Sequence, residues 1–492
     1  MYISNSPQKD NMPGALLTDL YQLTMAYGYW KAGMHEREAV FHLFYRKNPF
    51  RGTFAIAAGL ELAVQYLQNW HFTDDDIVYL STLKGAQNKP LFEAEFLTYL
   101  SELRFTCDVE AIPEGTMVFP HQPLLRIKGP ILQAQLVETA LLNIINFSTL
   151  IATKSARMVQ AAEGDSILEF GLRRAQGPDG GLTASRSAYI GGCTGTSHVL
   201  AGKRYGIPVK GTHAHSWIMG FADEMEAFEA YAAAMPHNCI LLVDTYDTLQ
   251  GVEKAIEVGL QLKQRGFELL GVRLDSGDLA ELSKASRQLL DNAGLYDALI
   301  VASNDLDEYK IRDLKAANAP IDVWGIGTKL ATGGEQAALG GVYKLAAIQD
   351  EEGIWRYKIK QSEDMIKVSN PGLLQVQRWY NDAGKPIADR IVDDWQPFQS
   401  QRMISLQQQI EIELGKGNSQ NLLVPIFRNG DLVYNLPSLD IIRAHCLRQQ
   451  ALFSKVQLEQ YPQGLESQLF KIKQQMLEDI NQSSDGLISV PH

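Results

Sequence analysis

Two histidines in the stretch GTHAHSW are the first residues of this sequence that could do chemistry. His213 and His215 lie two positions apart and follow the apolar run 207–209. Side chains at positions i and i+2 of an extended chain face the same side, so both imidazoles can reach one spot. Such a pair can bind zinc, or one ring can act as a base or a nucleophile. Both rings can also serve only to fill the protein interior.

A zinc site on this pair is poorly supplied with further ligands. The chain has 10 histidines, and none of them lies between residues 238 and 444. A zinc ion needs three or four protein ligands. The 4 cysteines are far apart and form no C-x-x-C pair. We therefore assign no metal ligand, and a base, a nucleophile and interior packing remain as the open roles.

An arginine and an acid alternate in the stretch GVRLDSGDL. Arg273 and Asp275 flank Leu274 and therefore share one face of a predicted strand. A carboxylate in this position can hold sugar hydroxyls or a metal-bound water, and it can stabilise a cationic transition state. For Asp278 we favour a different role, the capping of the helix that follows.

A glycine-containing turn follows the apolar run in DVWGIGTKLATGG, residues 322–334. Glycine allows backbone N–H groups to approach a phosphate closely, and a threonine hydroxyl adds a donor. Gly327 and Thr328 are therefore candidate phosphate ligands. A tight turn between a strand and a loop explains so short a motif equally well.

An aromatic residue, two arginines and a glycine-rich loop follow another apolar run in EFGLRRAQGPDGGLTAS. Phe170 can stack on a flat ring, and Arg173 can pair with a carboxylate or a phosphate. Arg174 fits a surface charge equally well. In LLVDTYDT, an apolar run and an acid followed by D-T weakly suggest the ribose-phosphate loop of one transferase class, since the acidic pair is split and the loop lacks a glycine. Asp247 or Thr248 fits a helix cap equally well.

These groups lie at the ends of short apolar runs that alternate with helical segments after residue 166. The polar ends Asp244, Asp275, Ser303 and Gly327 are separated by 31, 28 and 24 residues, which is the spacing of βα units in a parallel sheet or barrel. No GxGxxG fingerprint is present, which favours a barrel over a dinucleotide-binding fold. Barrel active sites lie at the carboxyl ends of the strands, where these polar groups fall.

The flanking segments have other patterns. Residues 16–32, 59–105 and 131–163 read as helical, residues 39–45, 54–58 and 107–128 as strands. Residues 342–380 return to strand patterns, which we expect to rejoin the N-terminal strands, and 400–492 read as mostly helical. Neither a repeat nor a low-complexity linker is evident.

Composition excludes several classes of function. The net charge of −12 argues against a general nucleic-acid or anionic-membrane surface. The polar N-terminus lacks the apolar core of a signal peptide, and no apolar run reaches the roughly 18–20 residues of a membrane span. Widely spaced cysteines read as free thiols of a reducing compartment. We therefore expect a cytoplasmic protein without nucleic-acid or membrane partners.

Taken together, the motifs resemble the nicotinate phosphoribosyltransferases. The resemblance runs in order from LTDLYQLTMAYGYW through FGLRRAQGPDGG, GTHAHSW, LLVDTYDTL, VRLDSGDL, SND and GIGT to GGVYKL and KVSNPG, about residues 15–380. It implies an enzyme that joins nicotinate to 5-phosphoribosyl 1-pyrophosphate (PRPP), giving nicotinate mononucleotide and pyrophosphate for NAD biosynthesis. ATP is a co-substrate hydrolysed through a phosphohistidine, and Mg²⁺ accompanies the phosphates.

The resemblance also implies an architecture. It is an α/β fold with an irregular α/β barrel at 146–345, and a second α+β domain formed by 1–145 with the post-barrel segment 346–400. We expect a helical C-terminal extension at 401–492. The family forms homodimers in which an N-terminal tyrosine reaches the other chain's site.

Site residues follow by matching motifs. His215 is the implied phosphohistidine, whereas His213 is a neighbour without assigned chemistry. Asp275 is implied to act on the ribose. The implied nicotinate ligands are Phe170, Arg173, Thr212, Arg273 and, from the partner subunit, Tyr21. The implied phosphate ligands are Ser303, Asn304, Gly327 and Thr328, and Lys360 and Lys367 are candidates for pyrophosphate or ATP. The sequence departs from the expected family pattern at His198 and Ser369, where Asn and Thr are expected.

Other functions fit parts of the sequence. The same scaffold acting on nicotinamide is the nearest alternative, because Arg173 and Arg273 could serve PRPP instead of the ring carboxylate. Quinolinate fits less well, since its enzymes are shorter and need more basic groups. A zinc hydrolase on His213 and His215 lacks further ligands, and a metabolite sensor would not need to keep the catalytic histidine.

Overall fold

The protein is described by a computed structural model that covers residues 14–396, 400–415, 417–453 and 455–485. The α-helices within these ranges are α1 Leu20–Lys31, α2 Leu60–Gln68, α3 Asp74–Thr82, α4 Ala94–Glu102, α5 Ile131–Leu136, α6 Glu138–Ala161, α7 Gly177–Gly191, α8 Val199–Tyr205, α9 His215–Met219, α10 Glu224–Ala234, α11 Thr248–Gln264, α12 Leu279–Asn292, α13 Glu308–Ala316, α14 Thr328–Ala331, α15 Leu439–Leu452, α16 Lys455–Gln460 and α17 Ser467–Asp485. Among these described helices, none is long and apolar enough to cross a membrane.

The strands are β1 Glu38–Tyr45, β2 Ala55–Ile56, β3 Asp108–Ala111, β4 Met117–Val118, β5 Leu125–Pro130, β6 Ser166–Glu169, β7 Gly195–Thr196, β8 Ile240–Leu242, β9 Gly271–Leu274, β10 Leu299–Ala302, β11 Val323–Ile326, β12 Gly341–Gln349, β13 Trp355–Tyr357, β14 Leu374–Tyr380, β15 Pro386–Asp393, β16 Arg402–Ser405, β17 Glu411–Glu413, β18 Asn418–Asn421, β19 Val424–Arg428, β20 Asp431–Leu432 and β21 Gln463–Glu466. The chain therefore has the mixed α/β fold that the sequence predicts.

The chain divides into two compact units. The first comprises the described residues within Met1–Thr149, Ala338–Ser438 and His445–His492, and the second comprises Leu150–Ala337 and Leu439–Ala444. The predicted boundaries of 1–145 with 346–400, 146–345 and 401–492 differ from this division chiefly at the C-terminus, most of which belongs to the first unit.

The second unit is built on a parallel sheet with the strand order β7-β6-β11-β10-β9-β8. Val209 forms a further parallel bridge to Thr196 in β7. These strands are short and largely buried, and helices such as α11, α12 and α13 follow them. Because every strand runs in the same direction, all carboxyl ends meet at one edge of the sheet. The predicted βα units are confirmed, and their polar ends share that edge.

The first unit contains two larger sheets, with the strand orders β13-β12-β1-β5-β3-β19-β20 and β17-β16-β21-β15-β14-β18. Strand β12 pairs antiparallel with β1, so that Phe41 lies opposite Leu345. The ring of Phe41 stacks on Tyr343 with 5.0 Å between centroids. This pairing confirms that the segment after the second unit rejoins the N-terminal strands.

The expected helical character of residues 401–492 is corrected by the structure. This region holds the strands β16–β21 as well as α15, α16 and α17. Its strands pair with residues far away in sequence, as Val424 does with Ala111 and Leu465 with Ile391. Because strand formation depends on such neighbours more than on local propensity, the Gln- and Leu-rich sequence pointed to helix instead.

Candidate active site

Arg273 is the centre of a hydrogen-bond network at the carboxyl ends of β9 and β10. Its guanidinium donates to Ser303 Oγ at 2.9 Å, to Thr212 Oγ1 at 3.1 Å and to Asp275 Oδ1 at 3.2 Å. Ser303 Oγ in turn donates to Asp275 Oδ1. Gly271 allows the two strands to lie this close, because a Cβ there would be 2.3 Å from Leu299 O. The structure thus brings together four residues that the sequence singled out.

His215 lies beside this network as the first residue of the short helix α9. Its Nδ1 is 3.1 Å from Thr245 Oγ1, and its Nε2 is 3.7 Å from Asp275 Oδ2. The side chain is 42% exposed. The imidazole is therefore accessible to a substrate while the Thr245 hydroxyl orients the ring, as a nucleophile or a base requires.

His213 has a different environment from His215. Its ring is buried and packs edge-on against Tyr231 at 4.7 Å between centroids. Its Nε2 accepts a hydrogen bond from the backbone N–H of Leu242 at 3.2 Å. Burial lowers the pKa of His213 to about 4, so the ring is neutral near pH 7. The described residues contain no group of three or more His, Cys, Asp or Glu side chains that could hold a metal ion.

Asp244 is a member of the site that sequence analysis identified only as a strand end. Its Oδ2 accepts hydrogen bonds from Asp275 N at 2.8 Å and from Ser276 Oγ at 2.6 Å. Its Oδ1 is buried and has no hydrogen-bond partner among the described residues. The signal in the sequence was an acid placed directly after an apolar run, LLVD. A buried, unsatisfied carboxylate oxygen is costly unless a ligand or cation completes it.

Phe170 is placed by two glycines at the end of β6. Its N–H donates to Ile326 O at 2.7 Å, and its ring covers Gly325, where a Cβ would lie 2.7 Å from the ring. A Cβ on Gly171 would lie 2.3 Å from that of Ala331. The buried carboxylate of Glu169, which sequence analysis missed, accepts hydrogen bonds from Ser185 and Thr196 at 2.8 and 2.6 Å and from Gly171 N–H. The half-buried ring of Phe170 therefore has a fixed position.

Two loops with predicted phosphate ligands follow β10 and β11. Gly327 precedes α14, and Thr328 is exposed at the start of that helix. Asn304 is exposed and has a φ of 91°, and the next residue, Asp305, has a φ of 43°. Two consecutive non-glycine residues in the left-handed region are uncommon and occur where the surroundings enforce them. Ser303 is buried with its hydroxyl already bonded to Asp275.

The remaining predicted ligands lie outside this network. Arg173 is exposed in the 3₁₀ turn Leu172–Arg174. Tyr21, Lys360 and Lys367 belong to the first unit. Tyr21 is 49% exposed on α1, whereas Lys367 pairs with Asp364 at 3.5 Å.

A group of cations in the first unit was missed by sequence analysis. Burial lowers the pKa of Lys344; Glu138 opposes this effect, and the charges of Arg46 and Lys360 add to it. These three cations therefore lie within electrostatic range of one another. The sequence signals were GGVYKL and FYRKNPF, of which only the first was noted, and then only as part of a family resemblance.

Asp278 and Asp247 are confirmed as helix caps. Asp278 Oδ1 accepts from Ala280 N and Glu281 N at the start of α12. Asp247 Oδ1 accepts from Gln250 N at the start of α11.

Comparison with known proteins covers nearly the whole chain. Family models match at residues 16–146 (nicotinate phosphoribosyltransferase N-terminal domain), 166–359 (nicotinate phosphoribosyltransferase family) and 374–472 (the C-terminal domain). The nicotinate phosphoribosyltransferase of Bacillus subtilis (strain 168) is 42% identical over 478 residues, which cover 95% of this chain and 96% of that protein.

Solved structures agree with this assignment. The human nicotinic acid phosphoribosyltransferase matches with a TM-score of 0.79 and 32% identity, covering 93% of this chain and 99% of that one. A nicotinate-nucleotide pyrophosphorylase from Pyrococcus furiosus shares the fold, with a TM-score of 0.68 at 23% identity, and covers 92% of this chain and 98% of that one. On the strength of the three family matches and the near full-length relative, this chain belongs to the nicotinate phosphoribosyltransferase family.

Proposed function

We propose that this protein transfers the phosphoribosyl group of PRPP to the ring nitrogen of nicotinate and releases pyrophosphate. The nicotinate mononucleotide formed would enter NAD biosynthesis as salvaged nicotinate. The observation that carries the proposal is the convergence of His215, Asp275 and Arg273 at one edge of a parallel sheet, within a chain of this family. The transfer would be coupled to hydrolysis of ATP through a phosphohistidine.

Asp275 would stabilise the transition state of the transfer. Cleavage of the bond between C1 of the ribose and the pyrophosphate oxygen leaves positive charge on the sugar before the ring nitrogen attacks. A carboxylate fixed by Arg273 and Ser303 is already oriented, so little reorganisation is needed when that charge develops. The same carboxylate can accept hydrogen bonds from the ribose hydroxyls.

The substrate groups would bind around this carboxylate. We assign the 5′-phosphate to the loops of Ser303, Asn304, Gly327 and Thr328, which follow β10 and β11 and in which Asn304 and Thr328 are exposed. Phe170 would stack on one face of the pyridine ring and Tyr21 of the partner subunit on the other. Arg173, Thr212 and Arg273 would hold the ring carboxylate or the anionic groups of PRPP.

His215 would carry the phosphate from ATP. The free Nε2 electron pair attacks the γ-phosphorus, the bond to the β,γ-bridging oxygen breaks, and ADP leaves. Thr245 Oγ1 can accept a hydrogen bond from Nδ1–H, which keeps the proton on Nδ1 and leaves Nε2 as the nucleophile. Water later cleaves the phosphorus–nitrogen bond. Because the phosphorylated and free forms differ in charge, they can favour different states of the site, which links ATP hydrolysis to product formation.

Lys360 and Lys367 are proposed ligands of the ATP phosphates or of pyrophosphate. To them we add Arg46 and Lys344, since burial lowers the pKa of Lys344 and the nearby charges of Arg46 and Lys360 add to that effect. Such a cluster is stabilised when an anion binds beside it.

The residues present fit Mg²⁺. Asp244 has a buried carboxylate oxygen without a partner among the described residues, and Asp275 lies next to it in the network. Magnesium prefers oxygen ligands and is commonly held by one or two carboxylates together with substrate phosphates. Asp244 and Asp275 would hold it, and the ion would neutralise charge on the leaving pyrophosphate.

A cytoplasmic homodimer completes the proposal. The exposed apolar residues Leu20 and Tyr21 on α1, 53% and 49% exposed, are suited to contact with a second copy. All four cysteines are buried free thiols, as expected in a reducing compartment.

One assay tests the reaction itself. The protein is incubated with PRPP and Mg²⁺ and with equal concentrations of nicotinate, nicotinamide or quinolinate, each with and without ATP, and the mononucleotide products are separated. We expect product from nicotinate, with ATP raising its yield. Faster turnover of nicotinamide would identify nicotinamide as the substrate. The absence of product from all three compounds would favour a metabolite sensor.

A further inference from the structure

His213 connects the two edges of the parallel sheet in the second unit. At one edge, Val209 pairs with Thr196 of β7. Strand β8 is the opposite edge, and its Leu242 N–H donates to His213 Nε2 at 3.2 Å. Val209 and His213 belong to the same short segment, which pairs with β7 at one edge of the sheet. The side chain of His213 therefore joins this segment to β8 at the opposite edge.

The geometry fixes the protonation of this ring. A backbone N–H is only a donor, so Nε2 must be unprotonated and Nδ1 must carry the hydrogen. Nδ1 lies 3.4 Å from Ala214 O. The aromatic rings of Phe228 and Tyr231 surround the imidazole, which keeps it dry and neutral.

The same segment carries the catalytic histidine. His213 bonds β8 at Leu242, and His215 meets Thr245, three residues further along. The segment is therefore docked onto one strand end by two imidazoles. The backbone oxygen of His213 also accepts from Arg273 Nη1 at 3.4 Å, so its position bears on the Arg273 network as well.

We propose that His213 is a positioning residue, which closes the sheet by bonding Leu242 N–H and thereby sets the position of His215 relative to Thr245 and Asp275. The docking stands on the geometry alone, whereas its effect on turnover rests on the proposed function. Loss of the acceptor would leave a buried N–H unpaired and allow His215 to shift. A displacement of about 1 Å of a catalytic group is enough to lower a rate about 100-fold.

The chain offers a matched control in the first unit. His42 is also buried, and its Nε2 accepts the N–H of Leu374 at 3.2 Å. His42→Phe therefore removes the same kind of bond in the other unit. A merely structural role for His213 predicts that His213→Phe loses stability and nothing more.

The test compares His213→Phe, which keeps an aromatic ring but removes the acceptor, with His213→Gln, which restores one, and with His42→Phe. Hydrogen exchange of the Leu242 amide and the ratio of ATP-stimulated to ATP-independent turnover are measured in the folded proteins. We expect His213→Phe to exchange the Leu242 amide roughly five- to tenfold faster, as loss of about 1 kcal/mol implies, and to lose ATP stimulation. His213→Gln should recover both in part. His42→Phe should leave exchange of the Leu242 amide unchanged, and only this readout serves as its control, because His42 lies opposite Lys344, a proposed phosphate ligand.

A wild-type exchange rate of the Leu242 amide in His213→Phe would overturn the docking. A wild-type ratio of ATP-stimulated to ATP-independent turnover in the same variant would overturn the effect of His213 on His215. If His213→Phe does not fold, His213→Asn, whose amide is too short to reach β8, takes its place beside His213→Gln. A wild-type protein without phosphoribosyl transfer would refute the proposed function, while exchange at Leu242 would still report on the docking.

Discussion

His215 Nδ1 and Thr245 Oγ1 lie 3.1 Å apart, at the point where β8 ends. The other ring nitrogen faces Asp275 Oδ2 at 3.7 Å. The threonine hydroxyl can thus hold the ring by a hydrogen bond, whereas the carboxylate lies beyond hydrogen-bond distance of Nε2. This arrangement leaves Nε2 as the reactive nitrogen. The role of the threonine hydroxyl in orienting the ring can therefore be tested without changing the carboxylate.

Thr245→Val keeps the shape of the side chain and removes the hydroxyl. We expect ATP-stimulated turnover to fall about fivefold, because the loss of one hydrogen bond of about 1 kcal/mol frees the ring to rotate. Steady-state kinetics with ATP varied measures the effect. Thr248→Val, at the start of α11, is the matched control and should retain wild-type stimulation. Equal behaviour of the two variants would contradict a role for Thr245 in orienting His215.

Gly325→Ala should displace the ring of Phe170, since the added Cβ would lie 2.7 Å from it. Overpacking of this kind costs about 1–3 kcal/mol. We expect the KM for nicotinate to rise about tenfold while the KM for PRPP changes less. Gly85→Ala serves as the control, because its Cβ would have no contact closer than 3.6 Å. An unchanged nicotinate KM in Gly325→Ala would argue against stacking on Phe170.

Lys154→Met tests the buried ion pair beneath the loop that follows β10. Lys154 Nζ lies 2.7 Å from Glu308 Oε2, and both side chains are fully buried. Removing one partner of such a pair typically costs about 3–5 kcal/mol, and we expect the lower end of that range because Arg157 Nε still pairs with Glu308 Oε1 at 2.8 Å. Chemical denaturation measures the change. Lys284→Met removes the exposed partner of Glu281 and should cost less than about 1 kcal/mol. Similar losses of unfolding free energy in both variants would contradict a larger contribution from the buried ion pair than from the exposed one.

Stability should depend on pH through histidines whose pKa is lowered by burial in the folded chain. Burial lowers the pKa of His213 and of His121 to about 4, and that of His42 well below its usual value. As the pH falls below about 6.5 towards 4, the unfolded chain takes up protons that the folded chain does not, so stability is lost in that window and is unaffected above it. Denaturant midpoints at pH 7.5, 6.5 and 5.5 check this. Equal midpoints at all three values would contradict it.

The sequence predicted the edge of the sheet on which the site is built. Asp244, Asp275, Ser303 and Gly327 each follow a short apolar run, and in a parallel sheet such residues must meet. The shared face of Arg273 and Asp275 followed from their alternation with Leu274.

Other features depend on contacts between residues far apart in the chain. The bond from Leu242 to His213 spans 29 residues and leaves no local pattern. The strands of the C-terminal region form because partners such as Ala111 are available more than 300 residues earlier, as for Arg428 with Glu110 at a separation of 318. Local propensity carries no information about such partners.

The most direct test of the account is phosphoribosyl transfer by His215→Ala with nicotinate, PRPP and Mg²⁺, in the presence and absence of ATP. The wild-type protein should form nicotinate mononucleotide faster with ATP and should acquire an acid-labile phosphate from labelled γ-phosphate. The account predicts that the variant retains ATP-independent transfer, loses the stimulation and takes up no label. Stimulation or labelling that persists in His215→Ala would contradict the assignment of His215 as the phosphate carrier.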